Sequence, residues 1–89
     1  MELRTMRYFL AVAREENMTR AAQLLHVTQP TLSKQLKALE DELGKKLFTR
    51  HSFSIQLTEE GGLLRKRAED LIKIADKITT EFLDRKSVV

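Results

Sequence analysis

The stretch from Thr19 to Leu43 constrains the fold more than any other part of the chain, because it holds two short helical patterns separated by a tight break. The second pattern contains Leu32, Leu36, Leu39 and Leu43, at spacings of four, three and four. A helix with about 3.6 residues per turn places all four leucines on one face. We therefore expect a helix-turn-helix whose second helix, over about residues 29–43, turns these leucines toward a core.

The face of this helix opposite the leucines is basic and hydroxylated over its first two turns. It is formed by Pro30, Lys34, Lys37 and Asp41, with Thr31 and Ser33 on its flanks. The first two turns of this face carry no carboxylate. A helix N-terminus also presents unpaired N–H groups and a partial positive charge, which attract phosphate. This is the surface that we expect to meet DNA.

Two helices are predicted before this one. In residues 2–16, apolar side chains recur every three or four positions, which predicts an amphipathic first helix. Thr19 is a good N-cap for a second helix that contains Arg20 and ends near Leu25. Ala21 and Ala22 are small enough to let the second helix approach the third closely.

His26 ends the second helix, and two roles are open to it. As a metal ligand or acid–base group it lacks partners, since His51 is the only other histidine and the chain has no cysteine. As a turn residue it suits the left-handed region, in which histidine is enriched. We favour the turn and expect no metal or cofactor. Thr28 or Gln29 is the expected N-cap of the third helix.

A two-stranded wing is predicted over about residues 47–57. Gly44 is expected to end the third helix in the left-handed conformation. The apolar period then changes to two, with Phe53, Ile55 and Leu57 alternating with polar residues. This alternation indicates a half-buried strand paired with residues 47–50 in a hairpin.

A long helix is predicted from Glu59 to about Arg85, capped by Thr58. Gly61 and Gly62 are a weakness near its start, since glycine costs about 1 kcal/mol relative to alanine inside a helix. The helix carries a heptad seam formed by Leu64, Ala68, Leu71, Ala75, Ile78 and Phe82. Its first two turns are expected to pack on the chain's own core, and the remainder to pair with a second copy.

Composition agrees with one small domain that prefers a polyanionic partner. The chain has 89 residues, of which 16 are Lys or Arg and 13 are Asp or Glu, for a net charge of +3. The absence of cysteine excludes disulfides and thiolate metal sites. No apolar run approaches the roughly 18 residues of a membrane span, so we expect a soluble, intracellular protein.

The chain resembles the DNA-binding domain of LysR-type transcriptional regulators. The resemblance covers nearly the whole chain to the middle of the last helix, and its motifs are specific in their order and spacing. The matching segments are Tyr8-Phe9, Val12-Ala13, Thr19-Arg20-Ala21-Ala22, Leu25, Val27-Thr28-Gln29-Pro30-Thr31-Leu32-Ser33, Gln35-Leu36, Leu39-Glu40, Leu43-Gly44, Leu47-Phe48-Thr49-Arg50 and Leu57-Thr58-Glu59-Glu60-Gly61.

The resemblance implies a mainly α fold, a winged helix-turn-helix of three helices and a two-stranded wing followed by a long dimerisation helix. We divide the chain into a DNA-binding domain, 1–58, and a linker or dimerisation helix, 59–89. The family implies a bacterial transcription factor in the cytoplasm, at the nucleoid, that binds an interrupted palindrome as a homodimer or, at full length, as a dimer of dimers. It also implies a C-terminal domain that senses a small-molecule inducer, which we do not expect in these 89 residues.

Candidate DNA contacts divide into base readers and phosphate contacts. Gln29 has an amide that can read adenine, Pro30 and Thr31 offer apolar contact to a thymine methyl group, and Lys34 can donate to guanine or phosphate. Phosphate contacts are expected from Thr19, Arg20, Ser33, Arg50 and Lys37, with His51 and Ser52 as lesser donors in the wing. The wing tip lacks the additional Arg or Lys that many family members carry there.

Two other functional classes agree less well with the sequence. A winged helix that only binds proteins or dimerises would more often show an aromatic or aliphatic patch on the outer face of the third helix, where this chain has Lys34 and Lys37. An enzyme is disfavoured, since the serines lack a His–Asp setting and no glycine-rich phosphate loop is present.

Overall fold

The computed structural model describes residues 1–52 and 54–88 and has the expected winged helix-turn-helix with a long last helix. Its elements are α1 (Leu3–Glu15), α2 (Met18–Leu25), α3 (Gln29–Leu43), β1 (Phe48–Arg50), β2 (Ile55–Leu57) and α4 (Glu59–Val88). None of the helices within these residues has both the length and the apolar content that a membrane crossing requires.

The start of α2 differs from the sequence prediction. Asn17, and not Thr19, is the N-cap: its side-chain oxygen accepts a hydrogen bond from the Arg20 backbone N–H at 2.9 Å. Asparagine is at least as good an N-cap as threonine, and its backbone is extended here, as a cap requires. Thr19 therefore lies inside the first turn, where its side chain is exposed.

The turn between α2 and α3 has the predicted conformation. His26 is left-handed, with φ of 59°, and Val27 packs against the core as its backbone N–H donates to the Ala22 carbonyl at 3.0 Å. Thr28 then caps α3, since its hydroxyl accepts from the Thr31 N–H at 3.3 Å. The chain thus passes between the two helices in three residues without glycine.

The core is formed where α3 crosses α1 and α2. Three of the four predicted leucines, Leu32, Leu36 and Leu39, are at most 3% exposed. The fourth prediction was wrong: Leu43 is 40% exposed, because the chain turns away at Gly44 (φ 69°) directly after it. Phe9 of α1 is fully buried and belongs to the same core cluster as these leucines.

The wing is an antiparallel pair in which Phe48 faces Leu57 and Arg50 faces Ile55. It is attached to the core from one side, because Phe48 packs on Phe9 with ring centroids 5.3 Å apart. Ile55 is buried as the alternating pattern predicts, and Leu57 is half-buried. Phe53, the first apolar residue of that pattern, lies outside the described residues.

The first turn of α4 corrects the interpretation of its two glycines. Thr58 caps the helix as predicted, accepting from the Gly61 N–H at 3.0 Å. A Cβ on Gly61 would overlap the carbonyl oxygen of Leu47, whereas a Cβ on Gly62 would have no neighbour within 4 Å. Gly61 therefore lets α4 approach the Leu47 carbonyl closely, and only Gly62 is a simple weakness of the helix.

The seam of α4 divides into a buried and an exposed part. Ala68 is 1% exposed, and Leu64 and Ile72 pack against the core with it. Ala68 therefore has no surface left for a second chain, which corrects its place among the dimerisation residues. Farther along, Leu71 is 40%, Ile78 52% and Phe82 70% exposed.

Candidate nucleic-acid interface

The N-terminal half of α3 forms an exposed tip. Pro30, Thr31, Lys34 and Lys37 are exposed, and Gln29 is partly exposed. The Thr31 hydroxyl accepts a hydrogen bond from the Thr28 hydroxyl at 2.8 Å, so the cap of the helix also orients Thr31. The buried leucines fix this face outward, because they occupy the opposite side of the same helix.

The wing reaches the same surface through Arg50. Its guanidinium Nη2 donates to the Ser33 hydroxyl at 3.4 Å, which joins the last residue of β1 to the second turn of α3. Ser33 is partly buried beneath this contact, while Arg50 itself is exposed. The arginine keeps other N–H groups to offer outward.

A groove of about 290 Å³ lies between α3 and the wing. Its charged lining consists of Lys37, Lys46, Arg50 and Glu40. Three cations against one carboxylate make this groove suitable for a polyanion. Lys46 is not among the candidate DNA contacts predicted from the sequence. The signal that could have indicated it is the basic pair Lys45-Lys46 between Gly44 and the wing.

A second groove, of about 250 Å³, lies between the start of α2 and the wing tip. Thr19, Arg50, His51 and Ser52 line it, so the structure brings these predicted site residues together. The His51 N–H donates to the Ser54 carbonyl at 2.8 Å and closes the tip. Arg50 borders both grooves and joins them into one surface.

The predicted site residues thus form two groups. Gln29, Pro30, Thr31 and Lys34 lie on the tip of α3, while Ser33, Lys37 and the wing residues lie around the grooves. Arg20 lines neither groove, but it is exposed on the first turn of α2, next to Thr19.

Comparison with known proteins identifies the family. The family model for bacterial regulatory helix-turn-helix proteins of the lysR family matches residues 3–62. The chain belongs to this family. The match runs from α1 to the first turn of α4 and so includes every element that lines the two grooves.

Curated relatives of this LysR-family chain are named as regulators. It is 47% identical to the HTH-type transcriptional regulator BudR of Klebsiella aerogenes over 76 residues, or 85% of the chain. It is 42% identical to the HTH-type transcriptional regulator BsdA of Bacillus subtilis over its whole length. The chain spans 53% of BudR and 31% of BsdA. Its relatives are therefore regulators and not enzymes.

This LysR-family chain has the same fold as a protein that was solved in complex with DNA. The crystal structure of the BenM_DBD/catB site 1 DNA complex superposes with a TM-score of 0.93 at 39% identity. The similarity covers 98% of this chain and 94% of the BenM chain, and BenM is a regulator of Acinetobacter baylyi.

Proposed function

We propose that the chain binds double-stranded DNA in a sequence-specific manner, as the DNA-binding part of a bacterial transcriptional regulator. The observation that carries this proposal is the exposed tip of α3, where Lys34 and Lys37 face outward while the leucines on the other side are buried. The BenM domain, which superposes on the chain, was solved with DNA.

The tip of α3 enters the major groove, which is wide enough to admit a helix. Gln29 pairs with the N6 and N7 edge of an adenine, and Pro30 and the Thr31 methyl group contact a thymine methyl. The Thr31 hydroxyl is engaged by Thr28, which favours this apolar role. Lys34 donates to guanine or to a phosphate.

The wing and the start of α2 hold the duplex by its backbone. Arg50 binds a phosphate at or near the adjoining minor groove, and its contact with Ser33 keeps it beside α3. Further contacts to phosphate come from Thr19, Arg20, Lys37, His51 and Ser52, which set the register without reading sequence.

Two copies pair through the exposed part of α4. Leu71, Ala75, Ile78 and Phe82 continue the seam beyond the buried Ala68, and three of them are at least 40% exposed as large apolar side chains. Isolated helices with such a face are stabilised by pairing. The dimer would read an interrupted palindrome. Tetramer formation and inducer sensing belong, in this proposal, to the longer protein.

The test is selection of bound sites from a random DNA pool, followed by a salt titration of the affinity for the best site. The proposal predicts paired half-sites and an affinity that falls steeply with salt. Equal binding to all sequences would contradict sequence-specific readout, and no salt-dependent binding at all would contradict DNA as the partner.

Lys34→Ala is the sharpest single variant for base reading. If Lys34 reads a base, we expect a loss of about 1–3 kcal/mol on the selected site and little change on random DNA. An equal loss on both would make Lys34 a phosphate contact. Lys77→Ala, an exposed lysine on α4, is the matched charge control.

A further inference from the structure

The chain between α3 and β1 is held by hydrogen bonds from two sides. We call Lys46 and Leu47 the wing root. From α3, the Glu40 carboxylate oxygen Oε2 accepts from the Leu47 N–H at 2.7 Å, in a partly buried position. From the start of α4, the Thr58 hydroxyl donates to the Lys46 carbonyl at 2.6 Å and the Thr58 N–H donates to the Leu47 carbonyl at 3.0 Å.

Glu40 also governs the end of α3 through its main chain. Its carbonyl oxygen accepts from the N–H groups of Gly44 and Lys45, at 2.8 and 3.2 Å. The main chain and side chain of Glu40 together therefore accept three backbone N–H hydrogen bonds, two at the end of the helix and one at the wing root. No other described residue of α3 has a hydrogen bond from its side chain to the wing root.

The wing root leads directly into the strand that carries Arg50. Leu47 is 1% exposed, and β1 begins at the next residue. Arg50 is the last residue of this three-residue strand, and its guanidinium reaches Ser33. At the other end of the hairpin, the Ile55 N–H donates to the Glu16 carbonyl at 3.1 Å. The wing is thus anchored at both ends, and two residues of α3 contact it: Glu40 at the wing root and Ser33 at Arg50.

We propose that Glu40 is a positioning residue for the wing: its hydrogen bond to the Leu47 N–H sets the wing against α3 so that Arg50 and the tip of α3 contact one duplex together. This inference rests on the proposed function. Glu40 touches no base or phosphate in this role, and it acts through its acceptor oxygen and not through its charge.

Charge and hydrogen bonding at Glu40 predict opposite effects on DNA affinity. The carboxylate lines the groove beside Lys37 and Lys46, where a negative charge opposes a phosphate. Removing the charge alone would therefore favour DNA. Losing the acceptor would leave a partly buried N–H without its partner and release the wing root.

Two substitutions separate these effects in the full chain. Glu40→Gln removes the charge and keeps an oxygen that can accept from Leu47. Glu40→Asp keeps the charge, but its side chain is one methylene shorter and cannot make the same contact. We expect E40D to bind the selected DNA site roughly threefold to tenfold more weakly, and E40Q to bind at least as well as the unchanged chain.

The salt dependence gives a readout that a loss of stability alone would not change. E40D is expected to lower the slope of log affinity against log salt by about 0.9, the value for one phosphate contact, and we expect the same change for Arg50→Ala. In the E40D/R50A double variant the two losses should overlap and not add. Glu42→Asp is the control, since Glu42 lies on the same helix and bonds to the N-terminus instead of the wing root.

Circular dichroism at the binding temperature checks that each variant is folded. Both E40Q and E40D are small changes, so the comparison of their DNA affinities tests the positioning role without a large truncation of the side chain. Weaker binding by E40Q with unchanged binding by E40D would overturn the positioning role in favour of charge. Fully additive losses in E40D and R50A would overturn it as well. If the unchanged chain binds no DNA, the proposed function itself fails; if it binds and E40D is unaffected, only the role of Glu40 fails.

Discussion

Helices α3 and α4 carry the same kind of apolar pattern, but the apolar side chains are buried in most of α3 and exposed in the second half of α4. In α3, Leu32, Leu36 and Leu39 are at most 3% exposed. In α4, Ile78 and Phe82 are 52% and 70% exposed, although they continue an equally regular seam. The two helices therefore differ in what covers the apolar face and not in the pattern that creates it.

The difference follows from length and position. α3 lies across α1 and α2, which cover its leucines along most of its length. α4 has 30 residues, and a helix of that size is about 45 Å long, which exceeds what three short helices and a small wing can cover. The chain's own core covers the apolar side chains of α4 only as far as Ala68 and Ile72. We propose that a second chain covers the apolar face beyond that point.

The variant with the largest expected effect tests the burial of the leucines in α3. Leu32→Ala removes a fully buried side chain, and we expect a loss of about 2–5 kcal/mol in the free energy of unfolding. Leu43→Ala, on the same helix and 40% exposed, should cost markedly less. Urea unfolding followed by circular dichroism measures both. Equal losses would show that Leu43 is as well packed as Leu32.

The next effect concerns the junction between the wing and α4. Gly61→Ala forces a methyl group onto the Leu47 carbonyl, and we expect a loss of about 1–3 kcal/mol in stability. Gly62→Ala is the matched control: its Cβ has free space, so the higher helix propensity of alanine should stabilise by about 0.5–1 kcal/mol. Thermal unfolding of the two variants measures both changes in stability. A change of the same sign in both variants would refute the close approach at Gly61.

A third experiment tests the exposed side. Phe82→Glu places a charge on the seam that we propose for dimerisation, and we expect self-association to weaken by at least about tenfold, or 1.4 kcal/mol. Sedimentation equilibrium measures this change. Thr80→Glu, exposed on another side of α4, should leave association unchanged. If Phe82→Glu leaves it unchanged too, the dimer forms elsewhere.

The smallest expected effect separates two candidate caps of α2. Asn17→Ala removes the oxygen that accepts from the Arg20 N–H, and the expected cost is about 1 kcal/mol of stability. Thr19→Ala should change stability by less than about 0.5 kcal/mol, because Thr19 is an exposed residue within the first turn. A larger loss for Thr19→Ala in a denaturant titration would restore threonine as the cap.

Much of the candidate site was predictable because it depends on local rules. The turn at His26, the cap at Thr28 and the left-handed Gly44 follow from the conformational preferences of single residues. The outward face of α3 follows from the helical period. The contact between Arg50 and Ser33, residues far apart in the chain, could not be predicted in this way, since it depends on how the wing folds back.

The errors have different causes. Both Asn17 and Thr19 can cap a helix, and in the structure it is Asn17 that accepts a hydrogen bond from the Arg20 N–H. Leu43 fits the leucine period but lies where the chain turns away from the core. Gly61 seemed to be a flaw in a helix, because a helical pattern carries no information about a distant carbonyl. Of these errors, only the one at Gly61 concerns a neighbour that is remote in sequence.

The amino-acid sequence by itself determined the order of the elements, the face of α3 that stays free and the family to which the chain belongs. Periods, caps and turn residues are local properties, and local properties can be read from neighbours along the chain. Only the tertiary structure decided that Glu40 and Thr58 hold the wing root, that Gly61 touches Leu47, and that the seam of α4 is free beyond Ile72. These features depend on which surfaces meet in space, and no local pattern specifies that.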